Sequence, residues 1–221
     1  NSPGFLVQFI GWSLKALSTR TVAVSQAVRN HWNQVNPKEP DKIVVIHNGI
    51  EGQKFQDGDG EKIRNELGVK EDELLLGMIG RVHQWKGQGY FLEIAHEIIK
   101  SIPTAKFLME GDVYPGQEYL YDEINEQIEK LQLHKHIIQV RFRHDIDDIM
   151  AALDVFVLPS ILDSFPTVIL EAMHAKRPVV ATRQGGAVEM LEENAGTLIP
   201  LENPKQAAEQ LLSILQNQEL Y

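Results

Sequence analysis

The sequence predicts a doubly wound α/β domain, in which helices cover both faces of a parallel sheet. Two observations lead to this fold class. From about residue 74 onward, short apolar runs alternate with stretches that carry apolar residues at helical spacing. The short runs lack a polar face, as strands buried on both sides do. Such units pair in parallel through right-handed crossovers, so the domain is expected to be Rossmann-like and to bind ligands at the carboxyl ends of its strands.

Six strands are predicted in this alternation. They cover residues 74–79, 105–110, 137–140, 154–158, 178–181 and 196–199. Helices fill the intervals, at about 90–99, 120–131, 146–153, 167–175 and 187–193. A last helix begins at Pro204, a residue that suits the first helical position.

Residues 1–40 stand outside this alternation. We predict a helix at 5–17, a strand at 21–24 and a helix at 26–35, followed by a linker at 36–40. These elements are interpreted as the remnant of a preceding domain, and residues 41–221 as the main domain. The chain begins with Asn1 and shows no signal-peptide pattern, so we expect a piece excised from a longer protein.

The composition argues against several functional classes. The 221 residues include no cysteine, which rules out a disulfide framework and a thiolate metal site and favours a reducing, cytoplasmic location. A net charge of −10 argues against a nucleic-acid binder. No apolar run reaches the roughly eighteen residues of a membrane span. The glycine-rich motifs of nicotinamide dehydrogenases, P-loop proteins and serine hydrolases are absent. His134 and His136 lack a third ligand nearby, so no metal site is predicted.

Two cations follow the first predicted strand. Arg81 and Lys86 lie five residues apart between Gly80 and Gly87, at the carboxyl end of that strand. A planar guanidinium and a mobile ammonium in this position can converge on one dianion. The same spacing also suits two solvated loop cations, and the spacing alone leaves both readings open. The loop at 111–116, which follows the second strand, could border the pocket, but it is interpreted as a plain strand-to-helix turn.

Glu171 lies in an otherwise apolar helical run after the fourth strand. A carboxylate among apolar neighbours needs a partner. The partner is either a lysine or a backbone cap, or else a vicinal diol such as a ribose. The first amides of this helix, near Pro166, also offer an anion site.

Together these segments resemble the retaining glycosyltransferases of family 4. The resemblance covers nearly the whole chain, and the order and spacing of the motifs agree. Its motifs are Ser25-Gln26-Ala27-Val28, Ile46-His47-Asn48-Gly49-Ile50, Gly80-Arg81…Lys86-Gly87, Pro159-Ser160…Asp163-x-Phe165-Pro166…Glu171-Ala172-Met173, and Arg177-Pro178-Val179-Val180-Ala181-Thr182…Gly185-Gly186…Glu189.

The resemblance implies a GT-B architecture, in which two Rossmann-like domains face each other across a cleft. This chain would be the C-terminal, donor-binding domain, preceded by the last elements of the N-terminal, acceptor-binding domain. The expected reaction moves a hexosyl group from a nucleoside-diphosphate sugar to a glycan, a lipid or a small molecule, as in polysaccharide biosynthesis. No metal or other cofactor is expected. The fragment alone should not transfer sugar, and peripheral membrane contact would come through the missing domain.

The resemblance also implies roles for individual residues. Arg81 and Lys86 would hold the donor diphosphate and stabilise the charge that develops on the leaving group. Glu171 would take the ribose hydroxyls, and Asp163 would reach the donor sugar as the first acid of the family's E-x7-E motif. The backbone around the helix start, at Phe165, Pro166, Thr167 and Val168, would contact the sugar and the phosphates. Phe142 and Arg143, in the segment beyond the third strand, would flank the base.

Three positions depart from the family pattern. Asp163 replaces a glutamate and is one methylene shorter, Arg141 replaces a frequent glycine, and His47 replaces a proline. The shortened acid keeps two alternatives open, a non-catalytic nucleotide or sugar-phosphate binding module of the same fold and a sugar-nucleotide epimerase. A glycan phosphorylase would require a cofactor-binding lysine in a context that the sequence does not show.

Overall fold

The computed structural model describes residues 9, 10, 12, 13, 17–35 and 42–216. The chain divides into two compact units, Asn1–Gly49 and Ile50–Tyr221. The division lies between Gly49 and Ile50, whereas the sequence analysis placed the domain boundary after residue 40. The predicted linker at 36–40 lies outside the described residues.

The first unit contains a pair of parallel strands and a helix. Strand β1 (Thr21–Ala23) pairs with strand β2 (Ile43–Val45), and helix α1 (Gln26–Val35) lies between them in sequence. The predicted strand at 21–24 and helix at 26–35 are thereby confirmed. Strand β2 was not predicted, and its pairing with β1 is the physical reason why residues 42–49 belong to the first unit. The predicted helix at 5–17 is described only at residues 9, 10, 12, 13 and 17, which are helical.

The second unit is built on a six-stranded parallel sheet with the order β5-β4-β3-β6-β7-β8. Its strands are β3 (Leu75–Ile79), β4 (Lys106–Glu110), β5 (Ile137–Val140), β6 (Val155–Leu158), β7 (Val179–Thr182) and β8 (Thr197–Ile199). The chain builds outward from β3 in one direction and from β6 in the other. The point between β3 and β6 is therefore the topological switch point, where ligands of open parallel sheets bind.

Helices cover both faces of this sheet. They are α2 (Gly60–Leu67), α3 (Gln88–Ile98), α4 (Tyr119–Lys130), α5 (Ile146–Ala152), α6 (Thr167–His174), α7 (Ala187–Met190) and α8 (Pro204–Gln216), with 3₁₀ turns at Gly52–Gln56 and Glu192–Asn194. Successive residues of a strand point to opposite faces. Accordingly, Leu76 packs into the core under α3, α4 and α8, whereas Leu75 packs into the core under α2, α5 and α6. The predicted doubly wound, Rossmann-like fold class is confirmed.

Helix α2 was not predicted, because its pattern is mostly polar and Ile63 is its one buried residue. Local signals define it instead. The Asp59 carboxylate accepts a hydrogen bond from the Lys62 amide at its start. Gly68 ends it with a φ of +66°, a left-handed conformation that favours glycine. Across the described residues, no helix is long and apolar enough to cross a membrane.

Candidate functional site

The loops that follow β3 and β6 meet at the switch point. The amides of Ile161 and Leu162 both donate to the Trp85 carbonyl, at 2.8 and 3.4 Å. Gly87, which begins α3 with a φ of +78°, lies so close to the second loop that a Cβ would stand 1.9 Å from the Pro159 carbonyl oxygen. Only glycine allows this approach. We call the two loops and helix α6, residues 80–87 and 159–174, the switch-point edge.

Lys86 and Asp163 form an ion pair across these loops. The Lys86 ammonium donates to the Asp163 carboxylate at 2.5 Å, and their side chains are 33% and 14% exposed. The Asp163 backbone is also fixed, since its carbonyl accepts from the Gly186 amide at 3.1 Å. A Cβ on Gly185, where φ is +52°, would stand 1.9 Å from the same carbonyl oxygen. The sequence analysis named both residues of the ion pair but did not predict their contact.

Arg81 has a different neighbour. Its side chain is exposed, and the guanidinium carbon lies 3.7 Å from the centre of the Tyr114 ring. Its carbonyl accepts from the buried Gln88 side chain at 3.0 Å, which fixes the backbone. Among the described residues, no carboxylate comes within ion-pair distance of this guanidinium. Arg81 and Lys86 therefore lie on one loop but contact different side chains.

Glu171 lies on α6, on which the 3₁₀ turn at Gly52–Gln56 packs closely. A Cβ on Gly52 would stand 2.1 Å from the His174 ring. The pKa of Glu171 is raised, mainly because burial penalises the charged carboxylate, and the nearby Lys54 offsets this only in part. No hydrogen-bond donor among the described residues reaches this carboxylate. Glu171 is thus a partly buried acceptor that has a cation nearby, Lys54, but no hydrogen-bond donor in the part of the chain that the structure describes.

The start of α6 follows Asp163 closely in sequence and continues the same edge. Phe165 and Pro166 are buried, and Thr167 and Val168 are partly buried at the first helical turn. The first amides of a helix have no acceptor within the helix and carry a partial positive charge. These amides are the backbone groups to which the sequence analysis assigned contacts with the donor sugar and phosphates, and that assignment stays a prediction.

The segment after β5, residues 141–145, is dominated by a second arginine. The Arg143 guanidinium donates to Asp145 at 2.8 and 2.6 Å and also to Glu66, and its amide donates to the buried Glu110 carboxylate at 2.9 Å. These contacts raise the pKa of Arg143, and the bond from Arg143 lowers the pKa of Asp145 to about 2. Phe142 is 60% exposed. The Arg143 side chain, which was predicted to flank the base, is therefore engaged in ion pairs, whereas the Phe142 ring is exposed.

Arg141 belongs to a separate group of side chains, which holds the loop after β4 in place. Its guanidinium lies 3.6 Å from the centre of the Tyr121 ring and donates to Asp112 at 3.0 Å. The Tyr121 hydroxyl donates to the same carboxylate and accepts from the Val113 amide at 3.2 Å. The hydrogen bond from Tyr121 is the main cause that lowers the pKa of Asp112. The sequence analysis interpreted this loop as a plain turn and missed Tyr114, although an aromatic residue after Gly111-Asp112 was the available signal.

The described residues contain no group of three or more histidine and acidic side chains that could hold a metal ion. His134 contacts Glu129 at 3.0 Å, and the His136 ring lies 3.0 Å from the Ala105 carbonyl. The two histidines of the sequence analysis thus each have a separate neighbour.

Comparison with known proteins decides the family. The family model described as glycosyl transferases group 1 matches residues 59–221, most of the chain. The chain belongs to this family. The resemblance inferred from the sequence motifs is confirmed at the level of a glycosyltransferase.

Two curated relatives illustrate the match. The chain is 34% identical over 168 residues to the Escherichia coli UDP-Gal:alpha-D-GlcNAc-diphosphoundecaprenol alpha-1,3-galactosyltransferase, which covers 74% of this chain and 42% of that protein. It is 27% identical over 205 residues to a D-inositol 3-phosphate glycosyltransferase of Segniliparus rotundus, covering 91% of this chain and 45% of the relative. The chain therefore spans less than half the length of these two relatives.

Solved structures give the same result for the fold. Anabaena Alr3699/HepE in complex with UDP and glucose is 26% identical, with a TM-score of 0.91 over 99% of this chain and 59% of its own. A second structure of that protein contains UDP-glucose. The C-terminal domain of the Francisella tularensis group 1 glycosyl transferase LpcC is 26% identical, with a TM-score of 0.65 over 78% of this chain and 90% of its own. This six-stranded unit therefore shares its fold with group 1 glycosyltransferases.

Proposed function

We propose that this chain is the donor-binding half of a retaining, family-4 glycosyltransferase that takes a hexosyl group from a nucleoside-diphosphate sugar. The observation that carries the proposal is Glu171, a partly buried carboxylate that no donor among the described residues reaches, on the same edge as two cations at the switch point. A pair of ribose hydroxyls would supply the missing hydrogen bonds. The complexes of Alr3699/HepE with UDP and UDP-glucose support a ligand of this class.

The proposed roles follow from the charge that develops during transfer. As the glycosidic bond breaks, the nucleoside diphosphate gains negative charge. Arg81, Lys86 and the first amides of α6 would stabilise that charge without a metal. Asp163 would contact the donor sugar, and the open ring of Phe142 would flank the nucleobase. The backbone of the Arg143 segment, held by Glu110, would line the same side.

Lys86 must change partners for this role. Its ammonium is neutralised by Asp163 in the structure. A pyrophosphate carries more negative charge than one carboxylate, so a diphosphate placed between Lys86 and Arg81 would compete for the ammonium. The Asp163 carboxylate released in this exchange would then be free to accept hydrogen bonds from the donor sugar.

The remaining elements of the proposal concern the longer protein. Residues 1–49 would be the last part of an acceptor-binding domain, and the acceptor would be a glycan, a lipid or a small molecule. The enzyme would be cytoplasmic, with any peripheral membrane contact made by the acceptor domain. Without that domain, the chain would bind the donor but not transfer sugar.

Calorimetry on this chain tests the site. UDP, GDP and ADP are titrated into the wild-type chain, and the diphosphate that binds is titrated into Lys86→Met and Glu171→Gln. Each change should weaken binding about tenfold or more, since each removes a charge-assisted hydrogen bond worth roughly 1.5–3 kcal/mol. Lys205→Met and Glu209→Gln, at exposed positions of α8, are the matched controls and should bind as the wild type does. Unchanged affinity in both site variants would remove the assignment.

A second candidate is a non-catalytic binding module of the same fold. The specific observation in its favour is that Asp163 is shorter than the family's glutamate and is engaged with Lys86. The chain joined to its acceptor domain separates the two candidates in an assay with sugar nucleotides and acceptors. Release of nucleoside diphosphate that requires both substrates supports transfer, whereas binding without turnover supports the module. Interconversion of the sugar without an acceptor would identify an epimerase.

A further inference from the structure

The loop between β4 and α4, residues 111–118, runs alongside the loop that carries Arg81. The Gly80 amide donates to the Glu110 carbonyl at 3.0 Å, and the Val82 amide donates to the Asp112 carbonyl at 2.9 Å. A Cβ on Gly111, where φ is +143°, would stand 2.0 Å from the Gly80 carbonyl oxygen. The two loops are therefore joined on both sides of Arg81.

Tyr114 lies at the point where this second loop meets Arg81. The tyrosine is half exposed, and its ring centre lies 3.7 Å from the guanidinium carbon. A contact between an aromatic face and the guanidinium carbon restrains the group without occupying its N–H donors or neutralising its charge. The guanidinium of Arg143, by contrast, donates to two carboxylates. Arg81 thus keeps its donors for a ligand.

The loop that carries Tyr114 is itself braced. Asp112 accepts hydrogen bonds from Tyr121, from Arg141 and from the Val113 amide, the last at 3.1 Å. Further along, the Gln117 amide donates to the Tyr114 carbonyl at 3.0 Å, which closes a turn before α4. The backbone of Tyr114 is therefore restrained from both directions. Arg141 and Arg81 both contact an aromatic ring, but they differ in their other partners. Arg141 also donates to a carboxylate, whereas no carboxylate among the described residues pairs with Arg81.

We infer that Tyr114 is a positioning residue, which orients the Arg81 guanidinium toward the donor diphosphate from a loop that Asp112, Tyr121 and Arg141 hold in place. The inference rests on the proposed function, because it assumes that Arg81 binds a diphosphate. It assigns a purpose to Arg141, whose position departs from the family pattern. It also requires that Tyr114 act on the phosphate end of the ligand and not on the nucleoside.

The test compares nucleoside diphosphates with monophosphates by calorimetry. UDP, GDP and ADP and their monophosphates are titrated into the wild-type chain, and the pair that binds is used with Tyr114→Ala, Tyr114→Phe and Arg81→Ala. We expect Tyr114→Ala to weaken diphosphate binding roughly three- to tenfold and to leave monophosphate binding unchanged. Tyr114→Phe keeps the aromatic face and should bind as the wild type does. Tyr119→Ala, which removes another half-exposed tyrosine near the start of α4, is the control.

The double variant Arg81→Ala/Tyr114→Ala sharpens the test. If Tyr114 acts through Arg81, the double variant should bind the diphosphate no more weakly than Arg81→Ala alone. Equal losses of diphosphate and monophosphate affinity in Tyr114→Ala would show a general structural role and overturn the inference. The inference would also be overturned if Tyr114→Ala bound the diphosphate as the wild type does while Arg81→Ala bound it more weakly. It would likewise be overturned if Arg81→Ala lost no diphosphate affinity. A wild-type chain that binds none of the diphosphates would instead contradict the proposed function, and this inference with it.

Discussion

Two regions at the carboxyl end of the same sheet hold similar residues in opposite conditions. In the 141–145 segment, Arg143 is matched by Asp145 and Glu66, and Arg141 is matched by Asp112. At the switch-point edge, Glu171 has no hydrogen-bond donor among the described residues, and Arg81 contacts only an aromatic face among the side chains that the structure describes. Arginines and acids occur in both regions, so residue type does not distinguish them. What distinguishes them is that Glu171 and Arg81 have no hydrogen-bonded side-chain partner among the described residues, although Lys86 and Asp163 on the same edge are paired with each other.

The pKa shifts express this difference in free energy. The pKa of Asp145 is lowered to about 2 by the hydrogen bond from Arg143, so its ionisation stabilises the folded state. The pKa of Glu171 is raised by burial, so its ionisation opposes folding. A raised pKa does not by itself indicate binding, because burial also raises the pKa of Glu110, whose carboxylate accepts a hydrogen bond from the Arg143 amide. Glu171 differs from Glu110 and Asp145 in that no hydrogen-bond donor among the described residues reaches its carboxylate, and this is the ground on which it is proposed for binding.

The largest expected effect comes from breaking the packing that holds the switch-point edge. Gly185→Ala would place a Cβ against the Asp163 carbonyl oxygen, 1.9 Å away, at a φ of +52°. The left-handed backbone costs an alanine about 1–2 kcal/mol, and the overlap adds roughly 1–3 kcal/mol. Urea unfolding should therefore show that the free energy of unfolding falls by about 2–5 kcal/mol.

Gly68→Ala provides the control for this prediction. Gly68 has a similar φ of +66°, but a Cβ there would meet open space. Only the backbone term of about 1–2 kcal/mol should remain. Equal losses in the two variants would mean that the close approach to Asp163 does not constrain this edge.

A smaller effect, a gain in ligand affinity instead of a loss of stability, is expected when the Lys86–Asp163 pair is broken. Asp163→Asn removes the carboxylate that neutralises Lys86, so the affinity for a nucleoside diphosphate should rise about fivefold, which corresponds to ~1 kcal/mol. Transfer from the sugar nucleotide by the longer protein should fall, because Asp163 is proposed to contact the sugar. Asp122→Asn, at an exposed position of α4, changes the net charge equally and should leave the calorimetric affinity unchanged. Weaker diphosphate binding in Asp163→Asn would show that the carboxylate assists Lys86 instead of competing with the ligand.

The sequence predicted the parts of this molecule whose signal is local. The strands inside the main sheet were identifiable as apolar runs buried on both faces, as in Val155–Leu158, whereas the outer strands β5 and β8 are only partly buried and were identified from their place in the alternation. Strand β2 and helix α2 were missed, because β2 has three residues and gains its identity from pairing with β1, and α2 buries only Ile63. Strand β2 thus depends on a partner distant in sequence, whereas the local signals of α2, the Asp59 cap and Gly68, were present but were not recognised.

The candidate site shows the same limit for side chains. Motif positions placed Arg81, Lys86, Asp163 and Glu171 on loops and a helix that the sheet topology brings to one edge. The partner of each side chain was not predictable, because Lys86 and Asp163 are 77 residues apart and their contact depends on loop geometry. The Arg143 pairing with Glu66 spans the same separation. Without these pairings, Arg143 and Arg81 appear equivalent in sequence, and only the structure separates the ion-paired arginine from the one that Tyr114 contacts.

The smallest expected effects are changes in the free energy of unfolding of Asp145→Asn and Glu171→Gln, and their pH dependence tests the comparison most directly. At pH 7, Asp145→Asn should lower the free energy of unfolding by about 1 kcal/mol, less than the full pKa shift implies, because 32% of the side chain is exposed and solvent screens it. The folded pKa lies below the ordinary value of 3.8, so this stabilisation is present above pH 4 and is lost only as the pH falls toward 2. Glu171→Gln should leave the free energy of unfolding unchanged or raise it at pH 7, because it removes the cost of a buried charge.

The two variants should then respond differently as the pH is lowered to 4.5. The folded pKa of Glu171 lies above its ordinary value of 4.5, so the folded wild-type protein binds more protons than the unfolded protein in this range. The cost of the charge therefore declines as the pH falls, and the advantage of Glu171→Gln over the wild type should shrink. The loss in Asp145→Asn should persist, since pH 4.5 is still above 3.8. Urea unfolding of the three proteins at both pH values measures these differences, and a loss of stability in Glu171→Gln at pH 7 would show that Glu171 is a paired, structural carboxylate like Asp145.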